Sequence, residues 1–164
     1  MIETEEALLP WGCINHGGQP TINQGKKYAV FIGRWQPYHY GHIKMIEKKI
    51  MQGIPVLIFI RDIQPDANNP LTTEQTKQLI EKYHTYKKHD VIVKVIEDIE
   101  SVNFGRGVGY EVNEWVPNGA IASISATAIR NSIKDKKHDW KSYVPQILQN
   151  DIARFLTSSE QNNE

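Results

Sequence analysis

The chain has 164 residues, with 19 Lys and Arg balancing 19 Asp and Glu to a formal net charge of zero, 40% hydrophobic residues and 23% charged ones. That is the length and composition of about one globular domain, which excludes a disordered chain and argues against a protein built around a basic nucleic-acid-binding surface. The longest strongly apolar run, Ile54 to Ile60, is far short of the roughly 20 residues a membrane span needs.

Taken in order, the opening MIETEEALLP is acidic where a secretory signal is basic, and the single Cys13 has no internal disulfide partner. A cytoplasmic protein without a membrane partner is the expectation. Residues 1–26 have no sustained period and read as an extension. Cys13-x-x-His16 has the spacing of half a metal site, but no second pair follows, so a loop with a free thiol is the better reading.

The domain is expected over 27–156. Tyr28 to Ile32 reads as a buried strand ending at Gly33, and Gly41 to Met51 as an amphipathic helix. Pro55 to Ile60 is a second apolar run. Thr72-x-x-Gln75, just after Pro70, has the form of a capping box opening a helix with Leu79, Ile80 and Tyr83. Val91 to Ile96 gives a third strand. Ala120 to Ile124 gives a fourth, followed by a helix from about Ala126. A last helix begins near Pro145 with Val144, Ile147, Leu148, Ile152, Phe155 and Leu156 as its apolar stripe, serving either the domain or an interface in a homo-oligomer. Residues 157–164 read as a polar tail. Alternating strands and helices, with strands apolar on both faces, predict one α/β domain in which helices flank a parallel sheet.

Chemistry-bearing residues gather at the strand ends. Gly33-Arg34-Trp35-Gln36-Pro37-Tyr38-His39-Tyr40-Gly41-His42 follows the first strand, at the sheet edge where α/β folds bind ligands. Gly33 and Gly41 admit close approach, Pro37 stiffens the turn, and His39 and His42 fall on one side of a helix start whose free N–H groups suit phosphate. A bare H-x-x-H is more simply a pair of capping histidines, and a metal site would lack a third ligand. The company of Arg34, Gln36 and Gly41 favours phosphate. Ile124-Ser125-Ala126-Thr127-Ala128-Ile129-Arg130 repeats the pattern, with Ser125 as a natural N-cap and Thr127 and Arg130 in the first turns; alone, it is equally an ordinary capped helix. Of the five arginines, Arg34, Arg61, Arg106 and Arg130 fall at or just past predicted strand ends, and Arg154 does not.

GRWQPYHYGH resembles the G-R-F-Q-P-x-H-x-G-H signature of nucleotidylyltransferases, particularly nicotinamide-mononucleotide adenylyltransferases, with Trp35 replacing Phe. ISATAIR is similar to the I-S-x-T-x-I-R signature of the same family, and Asn68-Asn69-Pro70-Leu71-Thr72 to its N-P-F-T segment, although Asn-Pro is also plain turn chemistry. The resemblance implies a Rossmann-like domain that transfers AMP from ATP to nicotinamide mononucleotide, or a similar phosphorylated acceptor, releasing pyrophosphate. It makes His39, His42 and Arg130 the catalytic groups, and Gly33, Arg34, Gln36, Gly41, Ser125 and Thr127 the nucleotide and phosphate contacts. Mg²⁺ would bridge the phosphates without a protein cage. Arg61, Asp62, Asn69, Asp98, Arg106 and Tyr110 are candidate acceptor contacts, with Gly105 to Tyr110 equally readable as a tight loop.

Other readings fit less well. A cytidylyltransferase of small phosphorylated alcohols or phosphonates would have Asp at Gln36 and Arg-Thr-Glu-Gly before the second motif, where this chain has Ile121-Ala122-Ser123-Ile124. A non-catalytic nucleotide sensor would not need both histidines. Class I aminoacyl-tRNA synthetases share H-x-G-H but carry K-M-S-K-S, and no P-loop is present.

Overall fold

The computed structural model describes residues 25–161. Cys13, His16 and most of the N-terminal extension lie outside the described residues. Three strands, β1 (Ala29–Gly33), β2 (Val56–Asp62) and β3 (Val91–Glu97), form a parallel sheet in the order β1-β2-β3. The crossovers are α1 (Tyr40–Met51) and α2 (Thr73–Tyr86), so the first five elements are Rossmann-like, as the alternating pattern predicts.

Register sets one face of the sheet. Phe31, Ile58 and Val93 lie side by side and are buried, with Val56 and Ile60 on the same side of β2. On the other side Val30, Leu57 and Ile92 form a row that is only part-covered, Val30 being 49% exposed. Ile43 and Ile46 of α1 and Leu79 and Ile80 of α2 pack into the same core, each such side chain contributing about 1.5–3 kcal/mol on burial. The capping box of α2 forms as expected: Gln75 N–H donates to Thr72 Oγ1 at 3.1 Å, and Thr72 N–H to Gln75 Oε1 at 3.0 Å.

The predicted fourth strand does not form. Gly119–Ala122 is a single helical turn, α3, followed by α4 (Ala126–Lys134). The segment is rich in alanine, Ser123 Oγ closes the turn on the Ala120 carbonyl at 2.7 Å, and no residue of α3 is buried, so no packing holds it against the sheet. Between β3 and α3 the chain has neither helix nor strand. A 3₁₀ turn (Asp139–Tyr143) leads to α5 (Gln146–Gln161), which therefore runs on past Leu156 into the segment read as a tail. Its stripe of Leu148, Ile152, Phe155 and Leu156 is buried with Val144, and α5 packs on α2 and α4. The last helix serves the domain. Among the described residues no helix is long and apolar enough to cross a membrane.

Candidate active site

The β1–α1 loop is shaped from within by Trp35. Its indole is buried, Nε1–H donates to the Phe59 carbonyl at 3.0 Å, and its backbone sits at φ +57°. A left-handed non-glycine residue costs of order 1–3 kcal/mol, here held by the surrounding packing. A Cβ on Gly33 would come within 2.9 Å of the Trp35 ring. Gly33, expected to admit a phosphate, thus first of all admits the indole. Gln36, also expected among the phosphate contacts, is buried with both amide atoms committed: Nε2–H donates to the Leu71 carbonyl at 3.0 Å and Oε1 accepts from Leu71 N–H at 2.9 Å. It clamps this loop to the segment ahead of α2.

The histidines cap α1 as a pair. His39 is the N-cap; its Nδ1 accepts from Gly41 N–H at 3.0 Å, while His39 N–H donates to His42 Nδ1 at 3.3 Å. This is a capping box in which imidazoles stand for the usual hydroxyl and carboxylate. The rings stack with centroids 3.7 Å apart and planes at 19°. Gly41 is required by that arrangement, since a Cβ there would meet His39 Cε1 at 2.7 Å. With each Nδ1 accepting a backbone proton, the ring proton of each neutral imidazole lies on Nε2. Burial pushes His39 down to about 4, and burial reinforced by His39 pushes His42 well below the ordinary histidine range. The capping and phosphate readings are therefore compatible: the Nδ1 atoms cap, and the Nε2–H groups are left as neutral donors.

The second motif meets the first. Ser125 caps α4 by accepting from Ala128 N–H at 3.1 Å, and the Ile124 carbonyl lies 3.7 Å from the Cβ position of Gly41. The N-termini of α1 and α4, each carrying partial positive charge, are thus side by side. Arg130 Nη1–H donates to the Gln36 carbonyl at 2.6 Å and Nη2–H to Thr127 Oγ1 at 3.2 Å. Across from it, Arg34 Nη1–H donates to Asn69 Oδ1 at 3.3 Å. Asp66, not anticipated from the sequence, orients Asn69: its Oδ1 accepts from the Asn69 side chain at 3.0 Å and from the Asn68 and Asn69 N–H groups at 2.8 Å each. These hydrogen bonds, that of the Asn69 side chain foremost, lower the Asp66 carboxyl below its ordinary value. The Arg130 guanidinium is lowered by burial first, with Asp66 opposing and Arg34 assisting. An Asp two and three residues ahead of the N–H groups it takes is an Asx-turn signal that the sequence does carry.

No family model matches the chain. Among curated proteins it is 38% identical over 55 residues to a nicotinamide/nicotinic acid mononucleotide adenylyltransferase of Acinetobacter baylyi, covering 32% of this chain and 29% of that protein. It is 24% identical over 119 residues to a nicotinamide-nucleotide adenylyltransferase of Thermoplasma acidophilum (71% and 65%), and 32% identical over 74 residues to one from Methanosphaerula palustris (44% and 44%). The chain is similar to nicotinamide-nucleotide adenylyltransferases. It spans less than two thirds of the length of each of these relatives. A solved structure, the bifunctional NMN adenylyltransferase/ADP ribose pyrophosphatase of Francisella tularensis complexed with AMP and a manganese ion, shares 32% identity at a TM-score of 0.39, covering 44% of this chain and 23% of that one.

Around the histidine pair, the candidate acceptor residues divide. Asn69 is buried and belongs to the Arg34 arrangement. Arg61 is paired with Asp98, its Nε and Nη2 both 2.6 Å from Asp98 Oδ1, which lowers the Asp98 carboxyl. Asp62 stands exposed at the end of β2. Arg106 and Tyr110 lie on the exposed segment between β3 and α3, and Tyr110, 68% exposed, touches Phe104 edge-on. Neither makes a hydrogen bond or ring contact with the histidines.

Proposed function

We propose that the chain transfers AMP from ATP to nicotinamide mononucleotide, forming NAD and pyrophosphate. The observation that carries this is the stacked His39–His42 pair, neutral and with both Nε2–H groups left over after capping, beside two helix N-termini and Arg130. The similarity to nicotinamide-nucleotide adenylyltransferases supports the choice of nucleotide and acceptor.

In this reading an oxygen of the acceptor's phosphate attacks the α-phosphorus in line, the α–β bridging bond breaks, and its electron pair leaves on pyrophosphate. No protein nucleophile is needed; catalysis is positioning and stabilisation of negative charge. His39 and His42 donate Nε2–H to the reacting phosphate, and because they donate without being cations they keep their capping bonds throughout. Arg34, Arg130, Ser125 and Thr127 hold the departing phosphates. Arg61 and Asp98, together with Asp62 and Asn69, face the acceptor side, and Arg106 and Tyr110 reach it only by movement of their segment. Among the described residues no group of three His, Cys, Asp or Glu is arranged to hold a metal ion. In this reading Mg²⁺ would enter with ATP as part of the substrate and would supply charge neutralisation at the phosphates held by Arg34 and Arg130. The partners are small molecules, and a cytoplasmic setting goes with them.

Pyrophosphate release over a matrix of ATP and CTP against nicotinamide mononucleotide and polyol phosphates tests the proposal. Release is expected with ATP and nicotinamide mononucleotide. Release with CTP and a polyol phosphate alone would replace the reading with a cytidylyltransferase.

A further inference from the structure

Behind the histidine pair lies a buried polar chain that the proposed reaction does not use. Tyr38, the residue before His39, is fully buried, and its ring stacks on His42 with centroids 5.7 Å apart and planes at 15°. Its hydroxyl lies 2.6 Å from Nε2 of His84, itself only 2% exposed on α2, and His84 Nδ1 lies 3.0 Å from Nδ1 of the part-exposed His89. Burial raises the Tyr38 hydroxyl well above its ordinary value and holds His84 down at about 3. Both groups are therefore neutral.

The polarity of the chain follows. A protonated Tyr38 donates to His84 Nε2, which leaves the His84 proton on Nδ1 to donate to His89 Nδ1. The reverse tautomer, with His84 Nε2–H donating to the Tyr38 oxygen, would leave the buried phenol proton without an acceptor; in either arrangement the hydroxyl is tied to His84. His39, His42 and Tyr38 form a continuous stack, and the hydroxyl at its far end is tied down by His84.

We propose that His84 is a positioning residue for the motif histidines: by holding the Tyr38 hydroxyl it fixes the ring on which His42 stacks, and so keeps both Nε2–H donors in one orientation. The catalytic consequence rests on the adenylyl-transfer reading; the coupling itself does not. Nothing in the H-x-G-H spacing implies it, because position 38 lies outside the histidine pair and His84 is more than forty residues further on.

The test uses the full chain with His84→Leu, His84→Gln and Tyr38→Phe. Long-range ¹H–¹⁵N spectra of the imidazoles, recorded without nucleotide, should show the wild-type His42 as a single tautomer with its proton on Nε2. In His84→Leu the two His42 nitrogen signals should move toward each other as the ring loosens. The turnover of ATP with nicotinamide mononucleotide should fall by about tenfold or more, the cost expected for misplacing a group by a fraction of an ångström, while KM for ATP stays within about twofold. His84→Gln, which returns an acceptor to the Tyr38 hydroxyl, should restore both readouts. If His84→Leu fails to fold, Tyr38→Phe breaks the same hydrogen bond with less change in volume and carries the same expectation. A folded variant lacking that bond, with His42 signals and turnover unchanged, would overturn the proposal. A wild type without transfer activity but with tautomer signals that respond to His84 would overturn only the functional reading.

Discussion

At His39 and His42 burial removes charge and hydrogen bonding selects the tautomer. With His39 held at about 4 and His42 held well below the ordinary histidine value, neither ring gains a proton as pH falls through 6.5. kcat/KM for adenylyl transfer should therefore show no histidine titration between pH 8 and 5.5; an acid-side fall centred near 6.5 would mean that one of the pair works as a cation. His42→Ala removes one preorganised donor and should lower kcat by about 10²–10³-fold, with KM for ATP little changed, as steady-state kinetics would show. Gly41→Ala should cost both stability and turnover, because the added methyl enters His39 and displaces the ring from its capping bond. These residues stood out in the sequence through the company of Arg34, Gln36 and Gly41 and through the family resemblance, not through spacing alone. Their protonation state was not legible there, since it depends on Trp35 and Tyr38 folding over them.

Among elements, the site is assembled by contacts between turns. Gln36 joins the β1–α1 loop to Leu71, and Arg130 joins the same loop to α4. Gln36→Leu would leave the Leu71 N–H and carbonyl unpaired in a buried place, at a cost of about 1–3 kcal/mol for each. Urea unfolding should show that loss, and KM for ATP should rise as Arg34 and Arg130 lose their common frame; an unchanged midpoint would deny the clamp. The three strands and the caps of α1, α2 and α4 were visible in the sequence because period and cap chemistry are local. The missing fourth strand was not, because Ala120 to Ile124 is too short and too poor in branched residues for its neighbours not to decide. The Gln36 role was hidden because a buried amide shows its partner only when two distant turns meet, whereas the Asp66 turn is local and its signal lay in the sequence unread.

Over the whole molecule, zero net charge conceals a local arrangement. Arg34 and Arg130 share the field of Asp66, and Arg61 is paired with Asp98. The buried histidines give the fold an acid sensitivity. His39 and His84 titrate at about 4 and about 3 when folded, against 6.5 when unfolded. Below pH 6.5 the unfolded chain takes up protons that the folded chain refuses, so stability is retained above that pH and lost as pH falls toward 4, by about 1.4 kcal/mol per pH unit for each group. Thermal melts should show a steep drop in Tm between pH 6.5 and 4, shallower in His84→Gln; a flat profile would mean these rings are solvated. Whether the neutral histidine pair carries adenylyl transfer is read most directly by chromatographic detection of NAD from MgATP and nicotinamide mononucleotide, wild type against His42→Ala. NAD and pyrophosphate are expected in equal amounts from the wild type and almost none from the variant. No NAD from the wild type, or equal NAD from both, would contradict that role.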